Sequence, residues 1–466
     1  MTIWTPQLDD SIAAPRYRRI ATAIGAAISR GDLKPGERLP PQRRLADRLG
    51  VTVGTVTRAY AEALHQGLVT SRVGSGTYVC EPESTPPFVI HPRSSEADGI
   101  IDMSLSLPPP HPWRVEGLRE ALREISQDPA ALQVAVDYQA DIGTEEHRRR
   151  LGHWLETLAL PHRCGVLAVT QGGQHGIDLA LRALTRPGDL VAADALTYPG
   201  FIAAARQSHL KPVGVPLDDH GMDVTALARQ CQRQAPRLVY VTPDQNNPTG
   251  AGLSPERREQ LVALAREHDF WLIEDAVQYL PPSARGPSLC ALAPERTLHI
   301  FSTAKILSGG LRVGTLQVPE PLRERIGAAI RAQSWMVPPL MVEAACRWIA
   351  HPQSQALLDW QTEEVAERQR MARQRLASHA PQGQPLGSNL WLPLPEGRRS
   401  SEVHALLGQR GIRVATPEPF CTSSEPAPQA IRLCLGSAAD HASLSHALDV
   451  IAEVLEHPGA SPWAML

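Results

Sequence analysis

Apolar residues between Pro15 and Arg30 fall at Tyr17, Ile20, Ile24 and Ile28. That spacing predicts one buried stripe of a helix. Gly31 stops it, and Leu33-Lys34-Pro35-Gly36 makes a turn. A short second helix follows Pro40-Pro41, with Leu45, Ala46 and Leu49 inward, and Gly50 breaks it. A third helix begins at Thr52, a suitable N-cap. Its predicted buried face is Val53, Val56, Tyr60, Ala63 and Leu64, and its other face carries Thr55, Arg58 and His65. Residues 67–72, a Gly-Ser-Gly turn at 74–76 and Thr77-Tyr78-Val79 then predict a two-stranded wing whose tip needs small residues.

Residues 81–100 show no period and are rich in Pro, Ser and charge, which predicts an extended tether. Further on, short apolar runs alternate with helical stretches. Strands are predicted at Leu190–Ala193, Leu238–Thr242, Phe270–Glu274, Leu298–Phe301 and Val313–Val318, with helices at Gln174–Leu184 and Pro255–His268 among them. This alternation predicts an α/β domain with a mostly parallel sheet. In such domains ligands gather at the carboxyl ends of the strands. Trp154 and the 17 histidines follow no site logic and are expected to serve packing.

Three helices and a hairpin define a winged helix-turn-helix, with the third helix in the major groove of double-stranded DNA. Thr52, Thr55, Arg58 and His65 are the candidate contacts on that helix, with Gly76 at the wing. Arg43, Arg44 and Arg72 would neutralise phosphates. Periodicity alone allows a protein-binding module equally well. Charge sharpens the choice. The chain has net charge -3, yet residues 1–80 hold eleven basic and six acidic side chains. A basic front on an acidic body suggests a local nucleic-acid footprint.

At roughly 100–200 residues per domain, 466 residues make two to four domains. Seven scattered cysteines at no zinc-ligand spacing fit free thiols in a reducing compartment. Asp9 and Asp10 interrupt any apolar leader, and no apolar run is long enough for a membrane span. A cytoplasmic protein without a metal site is expected.

The lysines carry the candidate chemistry. There are three, Lys34, Lys211 and Lys305, against 43 arginines. A lysine amine forms an imine where a guanidinium does not. Lys34 and Lys211 sit at turns and read as surface residues. Lys305 follows the apolar run 298–301 and Ser302-Thr303-Ala304, and precedes Ser308-Gly309-Gly310 and Arg312. A solvated loop lysine is the alternative. Thr170-Gln171-Gly172-Gly173-Gln174 leads into a helix, where backbone N–H groups and the helix dipole favour a phosphate. Asn247 lies in Asn246-Asn247-Pro248-Thr249-Gly250, and Asp275 ends a strand. A buried aspartate there can pair with a protonated pyridine nitrogen.

Residues 33–79 resemble the GntR-type DNA-binding domain, although Val53-Gly54 stands where such domains often place an arginine before the threonine-valine pair. From about residue 100 onward, the order phosphate turn, aromatic, Asn-Pro-Thr-Gly, Asp, Ser-x-x-Lys, Arg resembles the fold-type I aminotransferases. Together the two halves resemble the MocR subfamily of GntR regulators. The resemblance implies a GntR domain at 12–80, a linker at 81–100 and, at 101–466, an aminotransferase-like domain with a small C-terminal α+β subdomain. It implies pyridoxal 5′-phosphate (PLP) as an aldimine on Lys305. Asp275 would face the ring nitrogen, Asn247 the ring 3′-oxygen, and Tyr198 would stack on the ring. Gly173, Gln174, Ser302 and Arg312 would hold the phosphate, and Arg432 an effector carboxylate. Tyr138 would reach the neighbouring subunit's phosphate in a head-to-tail, domain-swapped homodimer. Relatives place a tyrosine two or three residues after the aspartate. Here Val277 and Gln278 stand there. Either Tyr279 serves through a register shift, or that hydrogen bond is missing.

The implied function is a DNA-binding regulator that senses PLP or an amino-group effector, with a residual transaminase half-reaction compatible. Two rivals stay open. One is a genuine aminotransferase with an accessory N-terminal domain. The other is a regulator whose second domain only dimerises.

Overall fold

The stripe on the first helix is buried as its spacing requires. Helix Arg16–Arg30 encloses Ile20 and Ile24 against Leu45 of helix Gln42–Leu49 and Val56 of helix Val53–His65. This computed structural model describes residues 4–6, 15–30, 32–34, 36–65, 68–72, 76–79, 99–423 and 427–456, in two units, Met1–Val89 and Ile90–Leu466. The tether at 81–98 and the side chains of His65 and Arg72 lie outside the described residues.

In the first unit, Thr52 caps the third helix, accepting from the Thr55 N–H at 3.2 Å. The Tyr60 hydroxyl donates to the Pro40 carbonyl at 2.7 Å, and Thr57 Oγ1 donates to Gln42 Oε1 at 2.7 Å, fixing the second and third helices together. Two expected core positions are corrected: Val53 is 41% exposed and Leu64 47%. Val53 sits at the very start of the helix. Leu64 is turned about 100° from Ala63; Val56, Tyr60 and Ala63 are buried as expected, joined by Ala59, which the sequence pattern left out. Thr55 is half-buried, while Arg43, Arg44, Thr52 and Arg58 are exposed. Strand Val69–Arg72 pairs antiparallel with Gly76–Val79, placing Arg72 opposite Gly76. Gly76 has φ +123°, and a Cβ there would lie 2.8 Å from Arg38 Nε, so only glycine fits.

Seven strands form the sheet of the second unit, in the order Val166–Thr170, Gly314–Val318, Thr297–Ser302, Trp271–Asp275, Leu238–Val241, Leu190–Asp194, Lys211–Val215. Only Gly314–Val318 runs against its neighbours; the remaining pairings are parallel. The carboxyl ends of the parallel strands therefore share one edge, and Arg312 arrives there ahead of the reversed strand. Two strands escaped the sequence pattern, Val166–Thr170 and Lys211–Val215. Lys211 is exposed, as expected, and opens the latter. Trp154 is core, its ring centroid 5.5 Å from that of Phe301.

A smaller C-terminal subdomain is built on the antiparallel strand pair Asn389–Pro393 with Ala430–Cys434. Helices Pro352–Arg375, Ser400–Gln409 and His441–Glu456 contribute to its core around Leu390, Leu433 and Leu448. Strand Ile101–Asp102, near the start of the unit's described chain, pairs parallel with Ile412–Arg413 of this subdomain. No helix among the described residues is long and apolar enough to cross a membrane.

Candidate functional site

The strand ends deliver the site. Asp275 is the last residue of its strand and is buried. Its Oδ2 accepts from the Tyr240 hydroxyl at 2.6 Å and its Oδ1 from the Val277 N–H at 3.0 Å. Burial pushes the carboxyl above its ordinary range, opposed by these two bonds and by the charge of Lys305. Tyr240 itself stacks on Phe201, centroids 4.3 Å apart and planes 8° from parallel. Sequence reasoning missed Tyr240. The available signal was a hydroxyl-bearing ring in an otherwise aliphatic strand, Leu238–Val241.

Lys305 closes the single turn Thr303–Lys305 that follows strand Thr297–Ser302. Ser302 is buried; its Oγ accepts from the Ala304 N–H and donates to the Val313 carbonyl. The Lys305 amine donates to the Ser106 carbonyl, and the Lys305 carbonyl accepts from Gln361 Nε2 at 2.9 Å. Burial, opposed by Cys434 and Asp275 and aided by Arg432 and Arg312, lowers the amine to about 8.

At the same edge, helix Gly173–Leu184 begins after Gly172, whose φ is +80°. A Cβ on Gly172 would lie 2.7 Å from Arg312 Nη2, so glycine lets the guanidinium close on the helix start. Arg312 is exposed and also donates to the carbonyls of Gln171 and Gly309. Gln174 Nε2 donates to the Gly200 carbonyl at 2.9 Å, while its buried Oε1 has no partner. Tyr198 packs against Gly200 immediately before helix Pro199–Gln207. Burial pushes its phenol up to about 12, with Asp275, Arg312 and Arg432 all near enough to act on it.

Arg432 comes from the small subdomain and is buried. One Nη donates to Asn247 Oδ1 at 2.6 Å, the other to the Ser104 carbonyl, and Nε has no partner. The guanidinium lies 4.8 Å from the Phe420 ring centroid. No carboxylate pairs with it among the described residues. Ser104 and Ser106, two residues apart, thus hold Arg432 and Lys305 through backbone oxygens. Neither serine was legible as a site residue, because a carbonyl is common to every residue type.

The three residues after Asp275–Ala276 part company in the structure. Val277 packs its methyl against Gly173, 2.6 Å from where a Cβ would stand. Gln278 and Tyr279 line a small cavity that also has Lys305 in its wall. The structure brings together Gly173, Gln174, Tyr198, Asn247, Asp275, Ser302, Lys305, Arg312 and Arg432, with Tyr279 in the adjoining cavity. It does not bring Tyr138 to them. Tyr138 is 83% exposed, its ring 6.3 Å from that of Trp335.

Fold and site together define an aminotransferase-like protein preceded by a winged helix-turn-helix. The aminotransferase class I and II model matches residues 115–451, and the gntR family model of bacterial regulatory proteins matches residues 16–79. The chain belongs to the aminotransferase class I and II family and carries a gntR-family domain ahead of it, which is the MocR-type architecture of a transcription regulator. Among its relatives, the uncharacterized HTH-type transcriptional regulator YdeF of Bacillus subtilis is 27% identical over 459 residues, 97% of each chain. The HTH-type transcriptional regulator TauR of Rhodobacter capsulatus is 30% identical over 357 residues, 69% of this chain and 71% of that one. The crystal structure of an archaeal alanine:glyoxylate aminotransferase superposes with TM-score 0.70 at 24% identity, covering 78% of this chain and 92% of that one.

Proposed function

We propose that this regulator reads double-stranded DNA with residues 12–80 and senses PLP, or an amine-bearing effector, at Lys305 in residues 101–466. The observation that carries the reading is the placement of a lysine of lowered pKa and a buried, carboxylate-free Arg432 on one backbone segment, Ser104–Ser106.

The site fits PLP. The glycine-lined helix start with Arg312 across it suits a phosphate, and Asp275 is a buried carboxylate suited to a pyridine nitrogen. Gly173, Gln174, Ser302 and Arg312 would hold the phosphate, and Tyr198 the ring face. Asn247 spends its Oδ1 on Arg432, which leaves its amide N–H groups for the ring 3′-oxygen. PLP, when bound, would supply an aldehyde carbon, and the Lys305 amine would be the group that holds it until an effector's own amine takes that place. Lowering of the Lys305 pKa keeps more of its amine in the neutral form that reaction needs. Arg432 would take the effector's carboxylate, with Asn247 and Ser104 orienting its fork. Tyr279 stands one residue beyond the usual tyrosine positions and borders the cavity. Exposed Tyr138 suits a head-to-tail homodimer in which it reaches the second subunit's phosphate.

The intact Lys305–Asp275–Tyr240 arrangement favours a second reading, a genuine aminotransferase. Robust turnover of an amino acid with a 2-oxo acid, without salt-sensitive DNA binding, would establish that rival. The deciding experiment is a footprint on the chain's own upstream DNA with and without PLP, together with borohydride trapping. Cofactor-dependent protection and a label on the Lys305 peptide are expected; saturating PLP that leaves no label defeats the reading.

A further inference from the structure

We infer that the effector of this site carries an uncharged, hydrogen-bonding side chain, and that Gln278 selects for it. This rests on reading Lys305 and Arg432 as the amine and carboxylate ends of the site.

The cavity beside Lys305 has an uncommon wall for a site that handles ions. Its polar side chains other than Lys305 are Ser106, Gln278, Gln361, Thr362 and Ser388, all uncharged, set among prolines, aliphatic side chains and Tyr279. No carboxylate or guanidinium lines it among the described residues. Two arginines stand near, and both are engaged. Arg114 donates to the carbonyls of Pro109, Ile306 and Leu307 and to Gln361 Oε1. Arg285 lies 5.6 Å from the centroid of Tyr279 and donates to the Leu158 carbonyl.

Gln278 joins three parts of the fold. Its Nε2 donates to Ser106 Oγ at 3.2 Å, on the segment that holds Lys305 and Arg432. Its Oε1 accepts from Ser388 Oγ at 3.3 Å, just ahead of the small-subdomain strand Asn389–Pro393. The bond from Ser388 is long for an O–H···O contact, and so a weak one. An amide or hydroxyl entering here meets both donors and acceptors. Lys305 aside, a second carboxylate would meet no cation in the cavity's wall and an ammonium no anion, so either is costlier to bury there than a neutral group. A site built from hydrogen-bonding groups discriminates strongly by such differences.

The test uses the full-length protein with PLP and two isosteric pairs, L-glutamine against L-glutamate and L-asparagine against L-aspartate. Binding is read by titration calorimetry and by the shift of the visible absorption band. The amide of at least one pair should bind about tenfold more tightly than its acid. Gln278→Arg should move the preference toward the acid, and Gln278→Glu should weaken the acids further. The inference is overturned if the acids bind as well as the amides, if none of the four binds, or if a folded Gln278→Arg protein keeps the wild-type ratio. Failure of the underlying reading looks different: no cofactor would be trapped on Lys305 at all.

Discussion

The Lys305 amine is buried where Lys34 and Lys211 are exposed, and burial governs its proton. Water solvates an ammonium better than a protein interior does, so the neutral amine persists at lower pH, with a midpoint of about 8. The rate of PLP capture should therefore rise about tenfold per pH unit below that midpoint and level off above it; a plateau reached only near the ordinary lysine value of about 10.4 would contradict the geometry. Stopped-flow absorbance measures this directly. Lys305→Ala should abolish both the visible band and borohydride labelling. Tyr240→Phe removes the hydroxyl that serves the buried Asp275. It should cost about 1–3 kcal/mol of stability, read by denaturant titration. Asp275, Asn247 and Lys305 were legible in the sequence because their motifs carry functional groups in a recognisable order. Tyr240, Ser104, Ser106 and Gln278 were not. Their parts depend on which strand ends and which subdomain meet, and that is a long-range property.

Elements were legible where their apolar period was unbroken. The five predicted strands of the sheet stand within a residue or so of their expected bounds. Lys211–Val215 was hidden by Pro212, which a central strand would not tolerate but an edge strand does. Val166–Thr170 lies at the other edge, and its short run was read only as a lead into the phosphate turn. On the third helix, the exposed Val53 and Leu64 show that apolar character alone overestimates a buried face. Packing between helices Trp113–Ser126 and Pro339–Ala350 gives a sharper test. A Cβ on Gly117 would stand 2.2 Å from Trp348 Nε1, inside a buried cluster. Gly117→Ala should destabilise the chain by about 1–3 kcal/mol in a denaturation curve, despite alanine's better helix propensity.

At the scale of the whole molecule, a basic unit and a ligand-binding unit share one chain, and each has its own signature. Arg43 and Arg44 are exposed on the second helix. Arg43→Ala should weaken DNA binding about equally across sequences and reduce the slope of log affinity against log salt by about 1, read by fluorescence anisotropy. The GntR-like pattern made this unit legible end to end, whereas nothing in 81–98 said how the ligand-binding unit would act on it. The entry of the chain into that second unit offers a physical lever. The stretch from Ile101 to Ser106 is pinned at one end by pairing with Ile412–Arg413 and at the other by the two cations of the site. Capture of the Lys305 amine would cost its bond to the Ser106 carbonyl, whereas Arg432 can meet a carboxylate through its unpartnered Nε while still donating to Ser104. On the proposed reading, an arrival at the amine would therefore slacken the mooring at Ser106 and leave the one at Ser104 fast.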